Sequence, residues 1–92
     1  MPNSAVHMIA HGRVQGVGFR FFVREQAAYW GIKGWVKNLP DGTVEILAEG
    51  EKEVLDDFIE RIERGPMFGR VSRVTVDWLE PTNSFTHFSI TF

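Results

Sequence analysis

Three glycines and two arginines fall within one nine-residue stretch of this chain, Gly12-Arg13-Val14-Gln15-Gly16-Val17-Gly18-Phe19-Arg20. Glycine lets a backbone approach a ligand closely and take dihedrals closed to other residues. The stretch runs into a segment of helical periodicity, so it opens onto a helix N-terminus. There the first N–H groups lack partners and carry partial positive charge. A concave run of such groups, here from Gln15, Gly16, Val17 and Gly18, is a ready anion site. Arg20 lies in the first helical turn, where its guanidinium can fork onto two oxygens of the same anion. The spacing suits one phosphoryl group. A dinucleotide fingerprint needs G-x-G-x-x-G, and Gly16-Val17-Gly18-Phe19-Arg20-Phe21 fails at its last position; the Gly-Lys-Ser/Thr of a P-loop is absent. A plainer reading of the same residues is a tight turn, with Arg20 solvated or paired to a surface carboxylate.

A second stretch, Gly34-Trp35-Val36-Lys37-Asn38-Leu39-Pro40-Asp41-Gly42, places an amide near the end of a strand. Asn38 can accept a hydrogen bond from water and donate another, and so orient a nucleophile without titrating. It can equally cap the adjacent turn. Other chemistries find less support. The chain has no cysteine, which removes disulfides, thiolate metal sites and a thiol nucleophile. His7 and His11 are four apart on a strand, roughly 13 Å along the chain, too far to share a metal. His87 is isolated, and all three histidines read as structural or surface residues. Asp56 and Asp57 are adjacent on a helix, so they point about 100° apart and form no catalytic dyad. No Ser-His-Asp arrangement assembles. Trp30, Trp35 and Trp78 read as core residues.

The elements that must position these groups follow from periodicity. Val6–His11 reads as a strand, with Val6, Met8 and Ala10 on one face. Phe19–Trp30 reads as a helix whose stripe is Phe19, Phe22, Val23, Ala27 and Trp30, ended by Gly31. Ile32–Leu39 and Thr43–Glu49 read as strands joined in a hairpin through Pro40-Asp41-Gly42. Glu51–Arg64 reads as a second helix, buried along Leu55, Phe58, Ile59 and Ile62 and closed by Gly65-Pro66. Val71–Leu79 and Phe85–Phe92 read as strands, with Val74, Val76 and Trp78 on one face of the first and Phe88, Ile90 and Phe92 on one face of the second. The order β-α-β-β-α-β with an extra C-terminal strand is the split βαβ, ferredoxin-like α+β pattern. It predicts an antiparallel sheet with two helices on one face, as a single domain over residues 1–92.

Bulk properties narrow the partners. The chain has 92 residues, 43% of them hydrophobic and 24% charged, with a formal net charge of −2. Residues 1–40 carry Arg13, Arg20, Arg24, Lys33 and Lys37 against Glu25 alone, while residues 41–92 are dominated by acids. That balance suits a small anion near the first half and disfavours nucleic acid, which needs a broad basic footprint. A ferredoxin-like RNA-binding domain would also need exposed aromatics on its central strands, where the first strand offers His7, Ile9 and His11. The N-terminal residues Met1 to His7 lack the basic and apolar regions of a signal peptide, and no apolar run approaches the roughly 20 residues of a membrane span. A cytoplasmic location is the expectation.

Taken together, the two stretches resemble the two signatures of the acylphosphatase family, and Phe88-Ser89-Ile90-Thr91-Phe92 is similar to the family's closing strand. The resemblance runs from end to end. It implies a ferredoxin-like fold and hydrolysis of the carboxyl–phosphate bond of a small-molecule acyl phosphate. It implies that Arg20 binds the substrate phosphate together with the backbone amides of Gln15, Gly16, Val17 and Gly18, and that Asn38 positions the attacking water. It implies no metal, no other cofactor and no covalent intermediate, a monomer, and inorganic phosphate as product and inhibitor. Leu39 departs from relatives that carry a hydroxyl there. The alternative is a non-catalytic phosphate- or carbamoyl-phosphate-binding module of the same fold, such as the acylphosphatase-like unit within larger carbamoyl-transferring proteins. Those proteins carry zinc-binding cysteine clusters, and this chain has none.

Overall fold

The computed structural model describes residues 3–92; Met1 and Pro2, part of the N-terminal segment read above for a leader, lie outside them. The elements are β1 (Asn3–Arg13), α1 (Phe19–Trp30), β2 (Lys33–Asn38), β3 (Val44–Glu51), α2 (Lys52–Arg64), β4 (Arg70–Leu79) and β5 (Phe88–Ile90). The five strands form one sheet in the order β4-β1-β3-β2-β5. Alternation sets its two faces. Val6, Met8 and Ala10 of β1, Val36 of β2, and Val44, Ile46 and Ala48 of β3 are buried. They meet Phe19, Val23 and Ala27 of α1 and Leu55, Phe58 and Ile62 of α2 in one core. Each large side chain fully removed from water there contributes about 1.5–3 kcal/mol. Among the described residues no helix is long and apolar enough to cross a membrane.

The sheet is antiparallel in three pairings, β1–β3, β1–β4 and β2–β3. The fourth corrects the expectation of a wholly antiparallel sheet. β5 runs parallel to β2, with Gly34 opposite Phe88 and Val36 opposite Ile90. The cause is topological. β4 finishes at the sheet end where β2 starts, and the chain crosses along that end to the far edge. β5 must therefore set out in the same direction as β2. Glu49 holds this crossing: its carboxylate accepts from the Thr82 N–H at 2.8 Å, the Thr82 hydroxyl at 3.0 Å and the Asn83 N–H at 2.9 Å. β5 is also shorter than the Phe85–Phe92 expected.

The tryptophans depart from the expected core role. Trp30 packs at the core's margin. Trp35 is half-buried on the helix-free face, with the Lys37 ammonium 5.5 Å from its ring centroid. Trp78, near the end of an edge strand, is 41% exposed, and the Lys52 ammonium lies 4.5 Å from its ring centroid. A strand at the edge has a neighbour on one side alone, so large side chains near its end stay partly wet, Leu79 as well as Trp78. The acids of α2 behave as a solvated face, with a Lys52–Asp56 pair at 3.2 Å one helical turn apart.

Gly34 makes the β2–β3 pairing possible. Its φ is +142°, and a Cβ there would overlap the Leu47 carbonyl oxygen of β3. Gly34→Ala is therefore expected to destabilise the fold by about 3 kcal/mol or more, because backbone rather than a flexible side chain must yield. Thermal unfolding should show a Tm lowered by about 10–20 °C. A Tm within the error of the parent would refute the close approach.

Candidate functional site

Strand direction explains why one end of the sheet is special. β1, β2 and β5 run the same way, since each is one antiparallel step from β3 or pairs parallel with β2. Their C-terminal ends lie together, beside the start of α1. A pocket there, about 200 Å³, is lined by Val14, Gly16, Gly18, Phe19, Arg20, Phe21, Asn38, Ile90 and Phe92.

The loop leaves β1 through an irregularity. The β1–β4 register shifts between His11 and Gly12, where φ is +121°. Such a bulge bends and twists a strand end. Gly16 and Gly18 then take φ of +72° and +77°. Neither is crowded, since a Cβ at either would meet nothing within 4 Å. Glycine is required by the backbone turn alone, and alternating turns of this kind aim successive N–H groups to one side. Gly18 is also the residue that starts α1, with no side-chain cap. The first helical bond runs from the Phe22 N–H to the Gly18 carbonyl at 2.9 Å. The amides of Phe19, Arg20 and Phe21 thus have no intrahelical acceptor.

Charge accumulates at this point. The first turn of α1 holds no acidic residue, whereas that of α2 holds Glu53. Arg20 adds a cation where the helix dipole is already positive, an arrangement that an anion relieves. Arg20 makes no ion pair among the described residues, so the surface-carboxylate reading fails. Its guanidinium instead sits 5.0 Å from the ring centroid of Phe92, the last residue of the chain.

Asn38 ends β2 and lines the same pocket. Its Oδ1 is buried and has no hydrogen-bond partner among the described residues. The adjacent turn is capped by another residue. The Asp41 carboxylate accepts from both the Thr43 hydroxyl and the Thr43 N–H. The Thr43 hydroxyl bond, followed by the N–H bond, holds the Asp41 carboxyl below its ordinary pKa. A lowered folded-state value means that the Asp41 charge strengthens the turn above the ordinary carboxylate range and stops doing so as pH falls through the lowered value. The capping role left open for Asn38 is thus taken by Asp41.

Of the residues singled out from sequence, the fold brings Gly16, Gly18, Arg20 and Asn38 to one pocket. Gln15 and Val17 belong to the loop without lining it: the Gln15 side chain turns to the β2–β3 turn, and Val17 packs on the core. Phe21 was not foreseen at the pocket wall. It is 53% exposed, on the polar side of a helical stripe that gives no sign of a ligand. His7 and His11 do not join the site. His7 Nε2 lies 2.7 Å from Glu45 Oε2 on the helix-free face.

The acylphosphatase family model matches residues 6–90. An acylphosphatase of Bacillus velezensis is 49% identical over 86 residues, covering 94% of this chain and 96% of that one. The crystal structure of acylphosphatase from Bacillus subtilis superposes with a TM-score of 0.93 at 42% identity, covering 97% of this chain and 99% of that one. Full-length HypF, in a phosphate- and nucleotide-bound form, contains a similar unit: TM-score 0.87, 29% identity, 99% of this chain but 12% of that one. With a family match from the first strand to the last and relatives of the same length, the chain belongs to the acylphosphatase family and is an enzyme of that activity.

Proposed function

We propose that this pocket hydrolyses acyl phosphates by direct attack of water on phosphorus. The observation that carries the reading is the buried Oδ1 of Asn38, unpartnered among the described residues, in the same pocket as Gly16, Gly18 and Arg20. The loop amides of Gln15, Gly16, Val17 and Gly18 and the Arg20 guanidinium hold the phosphoryl oxygens, and Asn38 Oδ1 accepts a hydrogen bond from the water. The P–O bond to the acyl group breaks and its electron pair leaves on a carboxylate. The parent acid of that carboxylate has a pKa of roughly 4, so the leaving group needs no proton. The water's proton passes to a phosphoryl oxygen, so the step requires no protein base. A loose phosphoryl transition state asks chiefly for position and charge stabilisation, which amides, one arginine and one asparagine supply. Inorganic phosphate, the product, competes for the same oxygens' site.

Turnover of acetyl phosphate in EDTA tests the reading. Hydrolysis at an undiminished rate, with release of free phosphate, is expected. Phosphate binding without turnover would instead favour a non-catalytic phosphate-binding module. Loss of turnover in EDTA, restored by a divalent cation, would overturn the metal-free mechanism.

A further inference from the structure

The side chain of Gln15 joins two parts of the site that come from different strands. Its Nε2 donates to the Leu39 carbonyl at 2.8 Å and to the Thr43 carbonyl at 2.8 Å. Those two oxygens also close the β2–β3 turn: the Leu39 N–H donates to the Thr43 carbonyl at 2.9 Å, and the Gly42 N–H to the Leu39 carbonyl at 3.2 Å. Both amide hydrogens of Gln15 are used, and both land on the hairpin that carries Asn38, one residue before Leu39. Gln15 itself lies in the loop directly before Gly16. β1 and β2 are not neighbours, because β3 runs between them. No backbone ladder therefore joins the loop to Asn38 directly, and the Gln15 side chain spans that gap.

We infer that Gln15 is a positioning residue for the hydrolytic reaction, its side-chain amide setting the distance between the phosphate loop and Asn38. The inference rests on the role given above to Asn38. The residue type fits the task. Two carbonyl acceptors require a group with two N–H donors and no charge to desolvate, which a carboxamide provides and a carboxylate does not. The side-chain role is separate from the backbone amide, which any substituent at this position retains. Because a displacement of about 1 Å at a reacting group can cost about a hundredfold in rate, a tether of this kind is felt in turnover.

The experiment is a double-mutant cycle on Gln15→Met, Asn38→Ala and the double variant, reading kcat for acetyl phosphate and inhibition by inorganic phosphate. Gln15→Met keeps length and removes both hydrogen bonds. It should lower kcat by about 10- to 100-fold and leave phosphate inhibition nearly unchanged. In the Asn38→Ala background it should cause no further loss. Independent, multiplicative losses in the double variant, or wild-type kcat in Gln15→Met, would overturn the inference. Should Gln15→Met fail to fold by circular dichroism, Gln15→Asn carries the same test, with the amide kept and its reach shortened. Wild-type kcat in Asn38→Ala would overturn the role of Asn38, and this inference with it. A loss in Asn38→Ala with none in Gln15→Met overturns this inference alone.

Discussion

Arg20→Ala should lower kcat/KM for an acyl phosphate by about a thousandfold and remove measurable inhibition by inorganic phosphate. The size follows from what surrounds the residue. The guanidinium makes no ion pair among the described residues, and no carboxylate in the first turn of α1 offsets it. An anion in the pocket would find its side-chain positive charge there. Phosphoryl oxygens are charged in both substrate and transition state, so binding and turnover fall together. Arg20→Lys should recover part of the loss, since it keeps charge and gives up the planar fork. Removing a cation from a helix N-terminus should leave Tm level or slightly higher, because that charge opposes the dipole. Full activity in a folded Arg20→Ala protein would remove Arg20 from the mechanism. Loss of activity together with a large drop in Tm would point to a structural role.

Asn38→Ala should give a different pattern, with kcat lower by about 10²- to 10³-fold and inhibition by inorganic phosphate little changed. Asn38 Oδ1 is proposed to hold the nucleophile and not the phosphate, so its loss is felt in the step where water attacks. The turn beside it keeps its own cap, Asp41 to Thr43, and the strand keeps its pairing of Asn38 with Val44. The variant is therefore expected to fold, and the rate effect can be read without a stability correction. Equal losses in kcat and phosphate affinity would mean that Asn38 shapes the pocket as a whole.

Much of the local structure is legible in the sequence. The bounds of α1, Phe19–Trp30, coincide with its apolar stripe and with the glycines on either side, Gly18 and Gly31, both of which take positive φ. The β2–β3 hairpin follows from Pro40-Asp41-Gly42. Strand limits were less legible. β1 runs from Asn3 to Arg13, beyond the Val6–His11 expected, because its ends are drawn out by partners far along the chain: Gly50 and Glu51 at one end, Arg70 and Val71 at the other. Trp78 shows the same limit. Its alternation with Val74 and Val76 is real, but exposure at an edge strand depends on which strand lacks a neighbour.

The glycine loop before α1 and Asn38 divide along the same line. Sequence alone determined the loop's conformation, since Gly16 and Gly18 adopt dihedrals that glycine favours over a few bonds, and it placed Arg20 in the first turn of a helix. Family resemblance paired Arg20 with Asn38 as residues of one reaction. Only the tertiary structure brings them to one pocket, leaves Asn38 Oδ1 without a partner among the described residues, sets Phe21 and Phe92 in the wall, and sends the Gln15 side chain across the start of β3. The physical reason is the range of the forces concerned. Dihedral preference and hydrophobic period act over a few residues. The separation between loop and Asn38 is fixed by strand order and direction, and the pairing of β1 with β3 that sets them joins residues dozens of positions apart.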